Sequence, residues 1–354
     1  MWFNQKFCSV KNITVLILVL LLPVLSFSQS KQANQWVFGK KVGVDFNTTP
    51  PDIFWSEILT QEGCASIAGT DGELKFYTDG VSVWNANHEY MEGGNNTLKG
   101  HFSSTQSGII VPRPDTPDIY YIFTVPYQGG DDGLMYSTID MSENGGLGKV
   151  IDRNVPLVTP VDEKVTAVTH YNGEDIWVIT HEWQTYTVQG IDTIFYPSKK
   201  FHSFLVTADG VNEESVVSEV GIAHGGNELN TVGYMKGSPD GERLALALYH
   251  DEIYQLFDFD SETGEVSYPI TFPNYKRAYG IEFSPNSRIL YMSKEDSLDP
   301  NVMHIYQVDL FAGSPEEIIA SQNHIGEVTN NAAIGRGAIQ VGPDQKIYIP
   351  NLKQ

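Results

Sequence analysis

A short turn of Pro, Asp, Asn and Gly residues, followed at once by a run rich in Leu, Ile, Val, Tyr and Phe, recurs along this chain. The copies read "GTDGELKFYTDG" (69–80), "PDTPDIYYIFTV" (114–125), "HYNGEDIWVITHE" (170–182), "SPDGERLALALYH" (238–250), "SPNSRILYMSKED" (284–296) and "GPDQKIYIPN" (342–351). Such turns supply the positive-φ or side-chain-capped backbone that a tight hairpin needs. The runs after them have strand length and strand composition, and no three-to-four-residue periodicity. Aligned on Asp71, Asp115, Asn172, Asp240, Asn286 and Asp344, the copies lie 44, 57, 68, 46 and 58 residues apart. The short spacings match the ~40–50 residues of a four-stranded propeller blade. The long ones carry insertions such as "WQTYTVQGIDTIFYPSKK" (183–200).

A further strand precedes each turn, as in "CASIAG", "VTAVTH" and "YGIEFS", and a third follows most of them, as in "LMYSTIDMS" and "IYQLFDFDSETG". Weaker fourth strands are "GKVID", "ESVVSE", "EVSYPIT" and "EEIIAS". The expectation is an all-β chain: a β-propeller of four-stranded antiparallel blades, with six blade starts visible and the last incomplete. The ring is expected to be seven-bladed in a longer product. Two closures are compatible with the half-finished blade. Either "WVFGKKVGVDF" (36–46) supplies its missing strands, or the chain is a fragment truncated at its C-terminus, which a half blade favours.

The first residues bear on the address. Lys6 and Lys11 lead into the apolar run "ITVLILVLLLPVLSF", and Ser26 and Ser28 stand at the small-residue positions of a cleavage site. Residues 1–28 are expected to be a signal peptide and 29–354 a single exported propeller domain. Location outside the cell or on its outer surface follows, or in the periplasm if no sorting domain exists. Pro23 and the polar sequence beyond the run argue against a retained membrane span. The formal net charge of −22 repels phosphate backbones, so nucleic acid is not an expected partner. After processing Cys64 is the only cysteine, so no internal disulfide can form and a core must hold the domain.

In a propeller the first strand of each blade lines a central channel. The connections from second to third strand all meet at one end of it. That end is expected to carry Asp79; Asp131 and Asp132; His181 and Glu182; His250, Asp251 and Glu252; and Glu295 and Asp296. Carboxylates and imidazoles gathered on one rim suit a cation or a polar ligand, with calcium as the possible ion and a surface glycan or protein as the possible partner. The blander alternative is solvated loop tips on an acidic protein. "DFDSETG" (258–264) has alternating acids, but Gly264 is seventh where a calcium loop wants its glycine sixth, so it reads as a turn. There is no His-Glu-x-x-His motif, no Gly-x-Ser-x-Gly elbow and no phosphate loop, so no catalytic residues and no cofactor are assigned. A non-enzymatic binding or scaffolding module is the leading expectation. The alternative is a propeller hydrolase or lactonase with a divalent cation at the acidic rim.

The ordered stretches "WVFGKKVGVDF", "EGCASI", "GELKFYTDGVSVWN", "SSTQSGIIVPRP", "YYIFTV", "GLMYSTIDM", "EKVTAVTH", "DIWVITHE" and "GYMKGSPDG" resemble the N-terminal propeller-like region of large exported Bacteroidota surface proteins. In that group PKD-type or immunoglobulin-like modules follow, and then a gliding-motility or type IX secretion sorting domain. The resemblance implies cell-surface export, although those downstream modules are absent from this chain. The group's activity is mostly unassigned, so no site residues carry over. The turn-strand units also resemble those of YVTN-type and lactonase-type propellers, a likeness of fold and not of activity.

Overall fold

The aligned turn residues do the same work in copy after copy. Asp71, Asn172, Asp240, Asn286 and Asp344 each accept a hydrogen bond through Oδ1 from the backbone N–H two residues on, at 3.0–3.3 Å. This closes an Asx turn between the first and second strands of a sheet. Asp115 instead adopts a positive φ of 53° at the equivalent corner. A computed structural model describes residues 31–189, 191–329 and 337–350. The expected signal peptide lies outside them.

Six antiparallel sheets of three or more strands follow one another around a ring, each beginning at the axis. Sheet I holds Gln35–Phe38, Lys40–Asp45 and Asp52–Leu59; sheet II holds Ala65–Ala68, Leu74–Thr78 and Val83–Asn85. Sheet III holds Gly108–Pro112, Ile119–Thr124, Leu134–Asp140 and Lys149–Val158. Sheet IV holds Val161–Thr169, Ile176–Glu182, Ser198–Thr207 and Val216–His224, with Gly210–Val211 paired to the end of its third strand. Sheet V holds Met235–Gly237, Arg243–Leu248, Ile253–Asp260 and Glu265–Phe272. Sheet VI holds Ile281–Phe283, Ile289–Glu295, Val302–Asp309 and Asn323–Thr329. A two-stranded pair, sheet VII (Gln340–Val341 and Ile347–Tyr348), stands between sheets VI and I. The chain is a β-propeller.

Each sheet-to-sheet contact has its own apolar filling. Val37 and Ile58 of sheet I meet Tyr77 and Trp84 of sheet II. Ile179 and Phe201 of sheet IV meet Leu244, Leu246 and Phe257 of sheet V. Ala245, Leu256 and Phe272 of sheet V meet Phe283, Leu290 and Met292 of sheet VI. Burying a side chain of the Leu or Phe size contributes about 1.5–3 kcal/mol over leaving it exposed. Residues 258–260 end the third strand and 261–264 form the expected turn to the fourth: Asp260 caps the N–H groups of Glu262 and Thr263, and Gly264 turns with φ +80°. A Cβ at Gly264 would stand 2.8 Å from the Trp177 ring, which explains the glycine there.

Two expectations are corrected. Residues 36–46 do not complete the last sheet; they form the first two strands of their own sheet I. "EEIIAS" is not a fourth strand. Pro315–Ala320 is a short α-helix, and the fourth strand of sheet VI comes after it. The reason is a capping box: Ser314 accepts from the Glu317 N–H, and the Glu317 carboxylate accepts from the Ser314 N–H. The insertion at 183–200 is a separate hairpin, Thr185–Gln189 paired with Asp192–Tyr196.

Candidate functional site: a closed polar cluster at the axis

Sheet IV begins with a run that departs from strand composition, Val161-Asp162-Glu163-Lys164-Val165. Val161 pairs with Glu182 and Val165 with Thr180, so residues 162–164 stand opposite the single residue His181. This is a bulge, and it re-aims three charged side chains that regular pairing would alternate between faces. All three have 0% exposure.

Glu163 turns toward sheet III. Its Oε2 accepts from the Thr105 N–H at 2.8 Å and the Thr105 hydroxyl at 3.1 Å, and its Oε1 accepts from the Gln128 N–H at 3.0 Å. Next to it Gln106 exchanges two hydrogen bonds with the Met235 backbone, tying sheet III to sheet V near the axis. Burial pushes the Glu163 carboxyl above its ordinary range, against the pull of those donors.

Asp162 and Lys164 face His181 and His224. Lys164 Nζ donates to Asp162 Oδ2 at 3.2 Å, to the Asn230 carbonyl at 2.9 Å and to the Thr231 carbonyl at 2.5 Å, which uses all three ammonium protons. His224 Nδ1 lies 2.6 Å from Asp162 Oδ2, and His181 Nδ1 lies 2.8 Å from the Glu182 carbonyl. Both partners are acceptors, so both imidazoles carry their proton on Nδ1 and leave Nε2 as a lone pair. Asp162 Oδ1, His181 Nε2 and His224 Nε2 are buried without a hydrogen-bond partner. The two rings stack with centroids 3.5 Å apart, and Phe201 packs edge-on against His181 at 4.6 Å. Burial holds both imidazoles well below their usual range, with the neighbouring His224 adding to the effect on His181 and the Lys164 charge to that on His224. Burial likewise raises the Asp162 carboxyl, opposed by Lys164, and lowers the Lys164 amine, opposed by Asp162.

Of these groups only His181 was among the rim candidates of the sequence. Its neighbours carried a signal all the same: three consecutive charges inside an otherwise apolar first strand. Of the other rim candidates, Glu182 and Glu295 end second strands and the rest sit in second-to-third-strand connections, and most are held by local contacts. Asp79 is buried and caps the N–H groups of Val81 and Ser82. The Asp131 carbonyl accepts from Thr159, and Asp132 lies 3.5 Å from Lys99. Glu182 meets His202 at 3.2 Å and Lys200 at 3.6 Å. His250 lies 3.5 Å from Asp251, whose N–H donates to Asn230, and the Glu252 carbonyl accepts from the Tyr275 N–H. Glu295 is buried between Lys276 at 3.0 Å and Arg277 at 2.6 Å. Asp296 pairs with His304 at 2.9 Å, which with two backbone donors holds its carboxyl far below the usual range. Among the described residues no hydrogen bond or ion pair joins a candidate on one sheet to a candidate on another. At the opposite end of the first strands a cavity of about 530 Å³ is lined by residues including Ala167, His170, Tyr171, Asp240 and Ser261.

No helix among the described residues is long and apolar enough to cross a membrane. No family model and no curated protein matches the chain. Solved structures do. Hydrazine synthase of Kuenenia stuttgartiensis is 13% identical with a TM-score of 0.50, over 91% of this chain and 90% of that one. A β-propeller domain from Myceliophteria thermophila is 9% identical with a TM-score of 0.43, over 84% and 86%. The periplasmic gluconolactonase of Pseudomonas aeruginosa is 15% identical with a TM-score of 0.42, over 77% and 72%. At 13% identity the first of these speaks to overall fold alone, and no activity follows from any of them.

Proposed function

We propose that this protein is an exported cell-surface β-propeller that acts as a non-enzymatic binding or scaffolding module, in the setting its sequence resemblance implies. The observation that carries the reading is the hairpin Thr185–Gln189/Asp192–Tyr196, every strand residue of which is exposed. Tyr186, Val188, Ile194, Phe195 and Tyr196 are among its exposed apolar side chains, with Ile191 at its tip. A two-stranded hairpin is marginal on its own, and apolar side chains on a projecting element mark a protein contact surface. It springs from the same end of sheet IV as the rim residues, so a partner seated there also reaches Glu182 and its neighbours. The closed cluster at the axis fits the same reading, since groups with no exposure meet no substrate in this conformation.

The test replaces residues 185–196 by a short Gly-Ser turn and screens both proteins on a peptide and glycan array, with and without calcium. Binding by the intact protein that disappears with the hairpin is the expected result. Binding that survives the excision but is lost on charge reversal of His250, Asp251 and Glu252 would return the site to the rim. Chelator-sensitive turnover of sugar lactones or glycosides would replace the reading with a hydrolase.

A further inference from the structure

We propose that Asp162, His181 and His224 form an enclosed binding site for one divalent transition-metal ion of the zinc class. One ligand atom from each lies within 4.8 Å of the other two. The atoms left without partners are all acceptors: one carboxylate oxygen and two imidazole nitrogens. The side chains that lie together and those that keep a buried lone pair without a partner are thus the same three, and a metal ion is a partner that takes one lone pair from each.

The surrounding bonds are those that prepare a ligand. The Nδ1–H of His224 is held by Asp162 and that of His181 by a backbone carbonyl, which fixes both tautomers with Nε2 free. Two imidazoles and one carboxylate suit zinc and its neighbours; calcium and magnesium take oxygen ligands. Lys164 donates to Asp162 Oδ2, so the ion shares the carboxylate with the ammonium. Ion uptake spreads two rings that otherwise stack 3.5 Å apart. The ligands come from the first, second and fourth strands of sheet IV, so the ion pins one blade across its width and acts structurally.

With no exposure at any ligand, the ion enters during folding. The test therefore unfolds the purified protein with chelator, refolds it with Zn²⁺ or Co²⁺, removes free metal and measures bound metal by mass spectrometry. One ion per chain, visible Co²⁺ absorption and a raised thermal midpoint are expected, with Ca²⁺ and Mg²⁺ giving none of these. His181→Gln and His224→Gln should each cut retained metal at least tenfold, while the rim variant His250→Gln retains it. Should the inner variants fail to fold, X-ray absorption of Zn²⁺-loaded wild type decides: a shell with two imidazoles supports the site, and an all-oxygen or sulfur-containing shell overturns it. Refolded wild type with native circular dichroism and less than a tenth of an ion per chain also overturns it.

Discussion

Lys164 shows why a buried charge is tolerable only with its full set of partners. Its three acceptors, Asp162, Asn230 and Thr231, stand within 2.5–3.2 Å. Lys164→Met leaves the Asp162 carboxylate enclosed without its counter-charge, and urea denaturation should show a loss of about 3–5 kcal/mol. The double variant Asp162→Asn/Lys164→Met removes both charges and should regain much of that loss. The imidazoles set a pH dependence in the metal-free protein. His181 and His224 titrate in the folded state well below the ordinary 6.5, so unfolding takes up protons as pH falls. Their contribution is complete above about pH 7 and declines as pH drops below 6.5, by at most about 1.4 kcal/mol per pH unit for each ring. The raised carboxyls of Asp162 and Glu163 act in the opposite sense and make the decline shallower. Urea midpoints measured from pH 8 to pH 5 should fall less steeply in His224→Gln than in wild type.

Sheet I makes the same kind of point at the scale of an element. Its pairing puts Trp36, Val44 and Ile53 in one cross-strand row and Phe38, Val42 and Trp55 in the next, all on one face. The opposite face, through Val37 and Ile58, is buried on sheet II. The exposed face of an antiparallel sheet is normally polar, yet here Ile53, Trp55 and Leu59 are 78%, 64% and 63% exposed. Sheet VII, which should cover them, has only two short strands. Ile53→Asp/Trp55→Asp should reduce binding of a hydrophobic dye, leaving the share taken by the exposed hairpin of residues 185–196, while changing stability by no more than about 0.5 kcal/mol per substitution; unchanged dye binding would mean that the face of sheet I is covered. Five of the six hairpin turns were legible in the sequence because an Asx turn is a local event, decided by one side chain and an N–H two residues away, and the sixth because Asp115 stands at an equivalent corner. The helix at Pro315–Ala320 was missed because "EEIIAS" has strand-like apolar residues, while Ser314 and Glu317 carry the signal in their spacing. The axial cluster was half legible: His181 follows from the repeat, but Asp162 reaches it only through a bulge, and His224 comes from the far strand of the same sheet. Neither relation is written in local sequence.

Across the whole molecule, the ring is unevenly held. Neighbouring sheets from I to VI share apolar clusters of many side chains, and the second strand of sheet V, Arg243–Leu248, has five residues in succession with no exposure. Between sheets VII and I the described contact is chiefly a trio of rings. Trp36 and Tyr348 have centroids 5.5 Å apart, Phe46 and Tyr348 also 5.5 Å, and Trp36 and Phe46 4.8 Å. An aromatic pair is worth about 0.5–1.5 kcal/mol beyond its buried area, so Tyr348 supplies roughly 1–3 kcal/mol through its two pairs. That is little beside the clusters that join the other sheets, so opening should begin at this seam and spread outward from it, leaving sheets IV and V protected longest. Hydrogen exchange read by mass spectrometry tests this directly. Amides of sheets I and VII should exchange first in wild type, and Tyr348→Ala should speed them further while the amides of Arg243–Leu248 keep their wild-type rate. A variant that speeds exchange equally in all sheets would mean that the ring opens as one cooperative unit, with the aromatic seam no weaker than the rest.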